Sequence, residues 1–128
     1  MQFDTFANRL RHSLPEGTVL QNPGKGTTTV LWCDGERLCY QRGKSRFYVH
    51  LADLHNAYTA HIGGDMTTND VKAFAPGIFD SRSGGHGCNA TVLMLALREM
   101  DLAGEIFGRG QRGKPFGVAV RSHSQELL

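Results

Sequence analysis

Residues 83–97, Ser-Gly-Gly-His-Gly-Cys-Asn-Ala-Thr-Val-Leu-Met-Leu-Ala-Leu, set a glycine-rich loop directly before the most apolar helix candidate in the chain. Cys88 and Asn89 fall at the junction. The first amides of a helix lack internal partners and carry the positive end of its dipole, so a thiol there ionises more readily and a phosphate is readily held. His86 lies in the same loop. A thiolate beside an imidazole is a nucleophile at neutral pH, which makes Cys88 a candidate catalytic residue with His86 as its nearest candidate base. A base must approach the sulfur from a fixed position, so His50, His55 or His61 would otherwise have to serve through the fold. The plainer reading of the same residues is a small buried thiol starting a core helix, with His86 exposed in the loop.

The Gly-Cys-Asn helix start resembles that of papain-like cysteine hydrolases in this one local feature. The His-bearing strand that follows in those families has no counterpart here, since only His123 lies downstream. No role is carried across from the resemblance.

Cys33, Cys39, His86 and Cys88 are all chemically able to ligate zinc, but their spacing argues against a site. Structural zinc sites pair ligands a few residues apart on each side, whereas Cys33 and Cys39 flank a hairpin turn and His86-Gly-Cys88 supplies half a site at most. His50, His55 and His61 do not share the i, i+4 face of a metalloprotease helix. No metal and no cofactor is expected.

A second kind of chemistry is written in three loops. Asn22-Pro-Gly-Lys-Gly-Thr27, Arg42-Gly-Lys-Ser-Arg46 and Arg109-Gly-Gln-Arg-Gly-Lys114 each combine glycine, which lets backbone amides approach a ligand, with guanidinium or ammonium groups. None is a P-loop, and no Gly-x-Gly-x-x-Gly follows a strand to open a helix, so mononucleotide binding loses ground. A polyanion touched at several points fits better, because nucleic-acid affinity comes largely from cations and backbone donors spaced along phosphates. Lys25, Arg42, Lys44, Arg46, Arg82, Arg109, Arg112 and Lys114 are the candidate contacts. Taken singly, each loop also reads as a solvated hairpin tip.

Charge distribution says more than its sum, a formal +2. Residues 37–46 hold Arg37, Arg42, Lys44 and Arg46 and no acid; residues 105–121 hold Arg109, Arg112, Lys114 and Arg121 against Glu105. Between them, residues 51–80 carry Asp53, Asp65, Asp70 and Asp80 against Lys72. Such segregation can build a basic face.

The elements that must position these groups form an α+β order. Phe3, Phe6, Ala7, Leu10 and Leu14 recur at helical spacing, predicting a helix over 5–13 that Asp4 caps, Phe3 staples and Pro15 ends. Strands are predicted at 18–21, 27–32, 37–41 and 46–51, with Asp34-Gly35 as the hairpin turn between the second and third. One helix follows Asp53 and closes at Gly63-Gly64; another opens at Thr67-Thr68-Asn69-Asp70 and stops before Pro76. Residues 90–100 are apolar all round and predict a central helix beneath the sheet. Ile106-Phe107 and 116–120 read as strands flanking a basic loop, and residues 122–128 are expected to fray. Parity along the fourth strand means that Phe47 and Tyr48 cannot both face the core.

At 128 residues, 40% apolar and 20% charged, the chain fits one domain spanning 1–128. The expected architecture is an antiparallel sheet of about four to six strands on a buried central helix, with short flanking helices. No apolar stretch is long enough to span a bilayer and no secretory signal is evident, so a soluble cytoplasmic protein without membrane contact is expected. Three cysteines suit free thiols in a reducing compartment. The leading functional expectation is a nucleic-acid-binding accessory or regulatory protein that grips the DNA or RNA backbone without catalysis. A small cysteine-dependent enzyme and an interaction module for an acidic protein are the alternatives.

Overall fold

A computed structural model describes residues 1–123. Among the described residues, five α-helices and six strands run in the order α1 (Phe3–Ser13), β1 (Val19–Gln21), β2 (Thr27–Cys33), β3 (Arg37–Arg42), β4 (Ser45–His50), α2 (Leu51–His61), β5 (Asp65–Thr67), α3 (Thr68–Phe74), α4 (Pro76–Phe79), α5 (Cys88–Glu99) and β6 (Gly117–Ala119). Strands β1 to β4 form an antiparallel meander in chain order, and β5 pairs with β6 in a separate two-stranded sheet. The class is α+β, as the alternation of the sequence implies. Among the described residues no helix is long and apolar enough to cross a membrane.

Helix α1 buries Phe6, Ala7 and Leu10 on one stripe, the face that apolar spacing selects. Its start differs from expectation. Gln2 occupies the N-cap with no side-chain bond, and Asp4 lies inside the first turn, where its charge meets the helix dipole instead of capping it. Phe3, now helical, packs edge-on against His55 at 5.7 Å instead of stapling the entry.

The meander shows the alternation that its β-branched and aromatic residues predict. Val30, Leu38, Tyr40 and Val49 turn inward and are buried, while Arg37, Gln41, Arg46 and Tyr48 share the outer face by register. Phe47 lies opposite Tyr40 on the inner side and is half-buried; Tyr48 is 52% exposed, so the parity argument holds. Two local readings need correction. The β2–β3 turn places Gly35 and Glu36 at its tip, not Asp34-Gly35, because the Asp34 carboxylate accepts the amides of Glu36 (2.8 Å) and Arg37 (2.7 Å) and folds the corner around itself. β4 ends at His50, since Leu51 already begins α2 while its amide bonds the Glu36 carbonyl at 2.8 Å.

Helix α3 opens as its sequence predicts: the Thr67 hydroxyl accepts the Asp70 amide and the Asp70 carboxylate accepts the Thr67 amide, a reciprocal capping box. The segment at Ile106-Phe107 is not a strand. Phe107 makes one isolated bridge to Gly117, because β6 takes its main partner from β5, a three-residue strand that no alternation marks in the sequence.

Helix α5 begins at Cys88, two positions earlier than the 90–100 reading, and buries Asn89, Ala90, Val92, Leu93, Met94, Leu95, Ala96 and Leu97. It packs against α1, α3 and α4. The sheet reaches its first turn through Tyr40, whose hydroxyl meets Cys88 and Asn89. The expected fraying of 122–128 falls mostly on residues 124–128, outside those described.

Candidate functional site

Hairpin registers decide where the basic loops stand. Gln21 pairs with Thr27 and Arg42 with Ser45, so the β1–β2 loop and the β3–β4 turn cap the same end of the meander. Side chains tie the two tips together: the Thr28 hydroxyl donates to Asn22 Oδ1 at 2.5 Å and accepts from Arg42 Nε at 2.7 Å. Asn22 in turn donates through Nδ2 to the Lys25 carbonyl at 3.1 Å, fixing the loop that carries the exposed Lys25.

Strand parity separates the three cations of Arg42-Gly-Lys-Ser-Arg46. Lys44 and Arg46 are exposed. Arg42 shares the inner parity of Leu38 and Tyr40; its guanidinium carbon lies 5.8 Å from the Tyr40 ring centroid, and its Nη2 is buried with no acceptor among the described residues. Burial shifts Arg42 downward from its ordinary value, since a charged group pays for lost water.

The loop 109–114 comes to this same end. It closes on itself, the Arg109 amide bonding the Lys114 carbonyl at 2.9 Å and the Lys114 amide bonding the Gln111 carbonyl at 2.8 Å. Gly110 sits at φ +69°, and a Cβ there would meet the Phe116 ring at 2.4 Å. A Cβ on Gly24 would meet the same ring at 3.8 Å, so Phe116 packs against both the loop of Lys25 and the loop of Arg112. One open cleft of about 400 Å³ is lined by Thr68, Asn69, Lys72, Gly87, Gly110, Gln111 and Arg112, among others. Arg109 and Lys114 border a second cleft on the other flank of the loop, beside Phe107. Lys72 was not among the sequence candidates, because it is the one cation in an acidic stretch.

Arg82 stands differently. Its guanidinium is held by Asp80, with Nη2 3.1 Å from Oδ2 and Nε 3.3 Å from Oδ1. The pair lowers the Asp80 carboxyl and raises Arg82, each through their mutual hydrogen bonds first. Its charge is already met within the loop.

At the head of α5, Cys88 is half-buried. The Tyr40 hydroxyl lies 3.1 Å from its Sγ and 2.6 Å from Asn89 Oδ1. One hydroxyl proton cannot serve both, and the shorter contact takes it. Burial pushes the Tyr40 phenol well above its usual range, reinforced by the contact with Cys88. Asn89 completes the link by donating Nδ2 to the Ile78 carbonyl at 3.0 Å.

No histidine ring hydrogen-bonds Cys88 among the described residues. His86 is exposed and meets Phe47 edge-on at 5.1 Å, and Phe47 stacks on Tyr40 at 5.4 Å. His50 lines a cleft with His86, Asp53 and Asn89. His55 and His61 are engaged by the carbonyls of Met1 (2.8 Å) and Ala57 (2.7 Å). The α5 amides of Asn89 and Ala90 turn back onto the carbonyls of His86 and Gly87, so less of the helix start is free for an anion than the loop suggested. Cys33 and Cys39 are not cross-strand partners, Cys33 pairing with Leu38 and Cys39 with Trp32. Burial pushes the Cys33 thiol up to about 11.

Compared with family models, curated proteins and solved structures, the chain gives no match.

Proposed function

We propose that this protein binds the phosphate backbone of nucleic acid through the basic end of its four-stranded sheet. The observation that carries the reading is the gathering of separately encoded glycine-basic loops there: Lys25 on one hairpin tip, Lys44 and Arg46 on the next, and Arg112 across Phe116, facing Lys72 over an open cleft. Nothing in the packing of a domain this size calls for so many exposed cations at one end. Backbone binding uses such an arrangement, since each neutralised phosphate releases counterions. The cysteine-dependent alternative has less support, as the sulfur is met by a phenol and not by an imidazole.

Fluorescence anisotropy of a labelled oligonucleotide across a salt series tests the reading. Affinity falls steeply with salt, and Arg112→Gln with Lys72→Gln flattens the log–log slope by about 0.7–0.9 for each phosphate contact removed. An oligonucleotide that does not bind even at low salt refutes it, where attraction between charges is least screened. Polyglutamate tested beside it reports on the acidic-protein alternative.

A further inference from the structure

The outer face of the meander presents an aromatic row beside open clefts, Trp32 bordering one with Arg11 and His12 of α1 and Tyr48 another with Ile78 and His86. Trp32, Cys39 and Tyr48 lie in one cross-strand row. The rings of Trp32 and Tyr48 are 5.8 Å apart and tilted by 55°, leaning over the buried Cys39. The Arg37 guanidinium lies 5.4 Å from the Trp32 centroid and 5.7 Å from that of Tyr48. Tyr48, on the edge strand β4, is 52% exposed and leaves a ring face open to solvent. Two residues along β4 on the same face, about 7 Å away at strand rise, stands the exposed Arg46, followed at the turn by Lys44. The aromatic row therefore runs directly into the basic end.

We infer that Trp32 and Tyr48 form a stacking platform for unpaired bases, so that the nucleic acid taken by this protein is single-stranded. The inference rests on the phosphate-binding reading and narrows it. Every base offers a π-face to an aromatic ring, whereas a duplex hides those faces within its own stack. Charge complementarity selects this occupant: Arg37 and Arg46 flank the rings, neither is in a salt bridge among the described residues, and guanidinium planes themselves stack on bases. Arg37, now over the rings, moves aside or sandwiches the incoming base.

Trp32 is the only tryptophan, so its fluorescence reports the event directly. Titration with an unlabelled thymidine oligonucleotide quenches that emission, and the single strand binds more tightly than a duplex of the same length. Tyr48→Ala weakens single-strand binding about five- to 150-fold, the range of alanine substitutions at stacked positions. Tyr48→Leu, which keeps Cys39 covered but removes the π-face, weakens it comparably. Neither changes the salt slope, because neither removes a charge. Salt-dependent binding without quenching, or with both variants at wild-type affinity, overturns the platform and leaves the phosphate reading standing. Duplex binding that equals or exceeds single-strand binding also overturns it. Absence of any binding at low salt removes the phosphate reading itself.

Discussion

Replacing Tyr40 with phenylalanine isolates one oxygen atom on which the join between sheet and helix depends. Tyr40 is fully buried, and its hydroxyl donates to Asn89 Oδ1 at 2.6 Å; Asn89 is itself 3% exposed. The ring stays, so its stacking on Phe47 and its apolar burial are unchanged. What is lost is the donor to a buried amide oxygen whose Nδ2 remains fixed on the Ile78 carbonyl and so cannot turn away to water. Leaving a buried acceptor unmet costs about 1–3 kcal/mol. With a urea m-value of about 1–3 kcal/mol/M, the midpoint drops by an amount on the order of 1 M, at unchanged m. The double-mutant cycle with Asn89→Ala sharpens the test: once Asn89 is gone, the phenylalanine costs little, giving a coupling of about 0.5–3 kcal/mol. A Tyr40→Phe midpoint indistinguishable from wild type, or two strictly additive substitutions, would show that this bond does not join β3 to α5.

Two further outcomes follow from local geometry. Gly110→Ala combines a backbone at φ +69° with a Cβ 2.4 Å from Phe116, so the loop of Arg112 must reorganise; thermal unfolding shows destabilisation of about 1–3 kcal/mol, and oligonucleotide affinity falls with it. An unchanged melting temperature refutes the close packing of Phe116 on this loop. For Asp34, the amides of Arg37 and then Glu36 hold the carboxyl below the usual carboxylate range. The folded value lies under the unfolded one of about 3.9, so the stabilisation is present above that pH and is lost as pH falls through the folded value. The gap in urea midpoint between wild type and Asp34→Ala narrows as pH drops below about 4; a gap that does not vary with pH excludes the charge as its source.

The meander was legible because its signals are local. Val30, Tyr40 and Val49 lie in short β-branched and aromatic runs separated by glycine turns, and Thr67 with Asp70 spells a capping box within one turn. Where the reading failed, tertiary contacts decided. Gln2 rather than Asp4 starts α1 because Phe3 finds His55 to pack on. β5 exists because β6 arrives beside it from far along the chain. Among the site residues, the inward turn of Arg42 was available in principle, since it shares parity with the apolar Leu38 and Tyr40. The placing of Lys72 in one cleft with Arg112 was not, because it depends on where a loop some forty positions later comes to rest. The bond between Tyr40 and Asn89 likewise joins segments that no spacing rule connects.

The pairing of β5 with β6 sets an order of assembly. Each hairpin of the meander joins neighbours in sequence, so its contacts close short loops and can form early. Thr67, by contrast, finds Gly117 about fifty residues on, and the entropy of that closure is paid before any of its contacts repay it. The two rims of the cleft lie on opposite sides of this seam, Lys72 just after β5 and Arg112 just before β6. The cleft thus forms only after a long-range pairing closes, and amide exchange in the three-residue strands β5 and β6 should outpace that in β3. Any ligand bridging the rims acts as a clasp on this long-range closure, coupling occupancy to the lifetime of the native state.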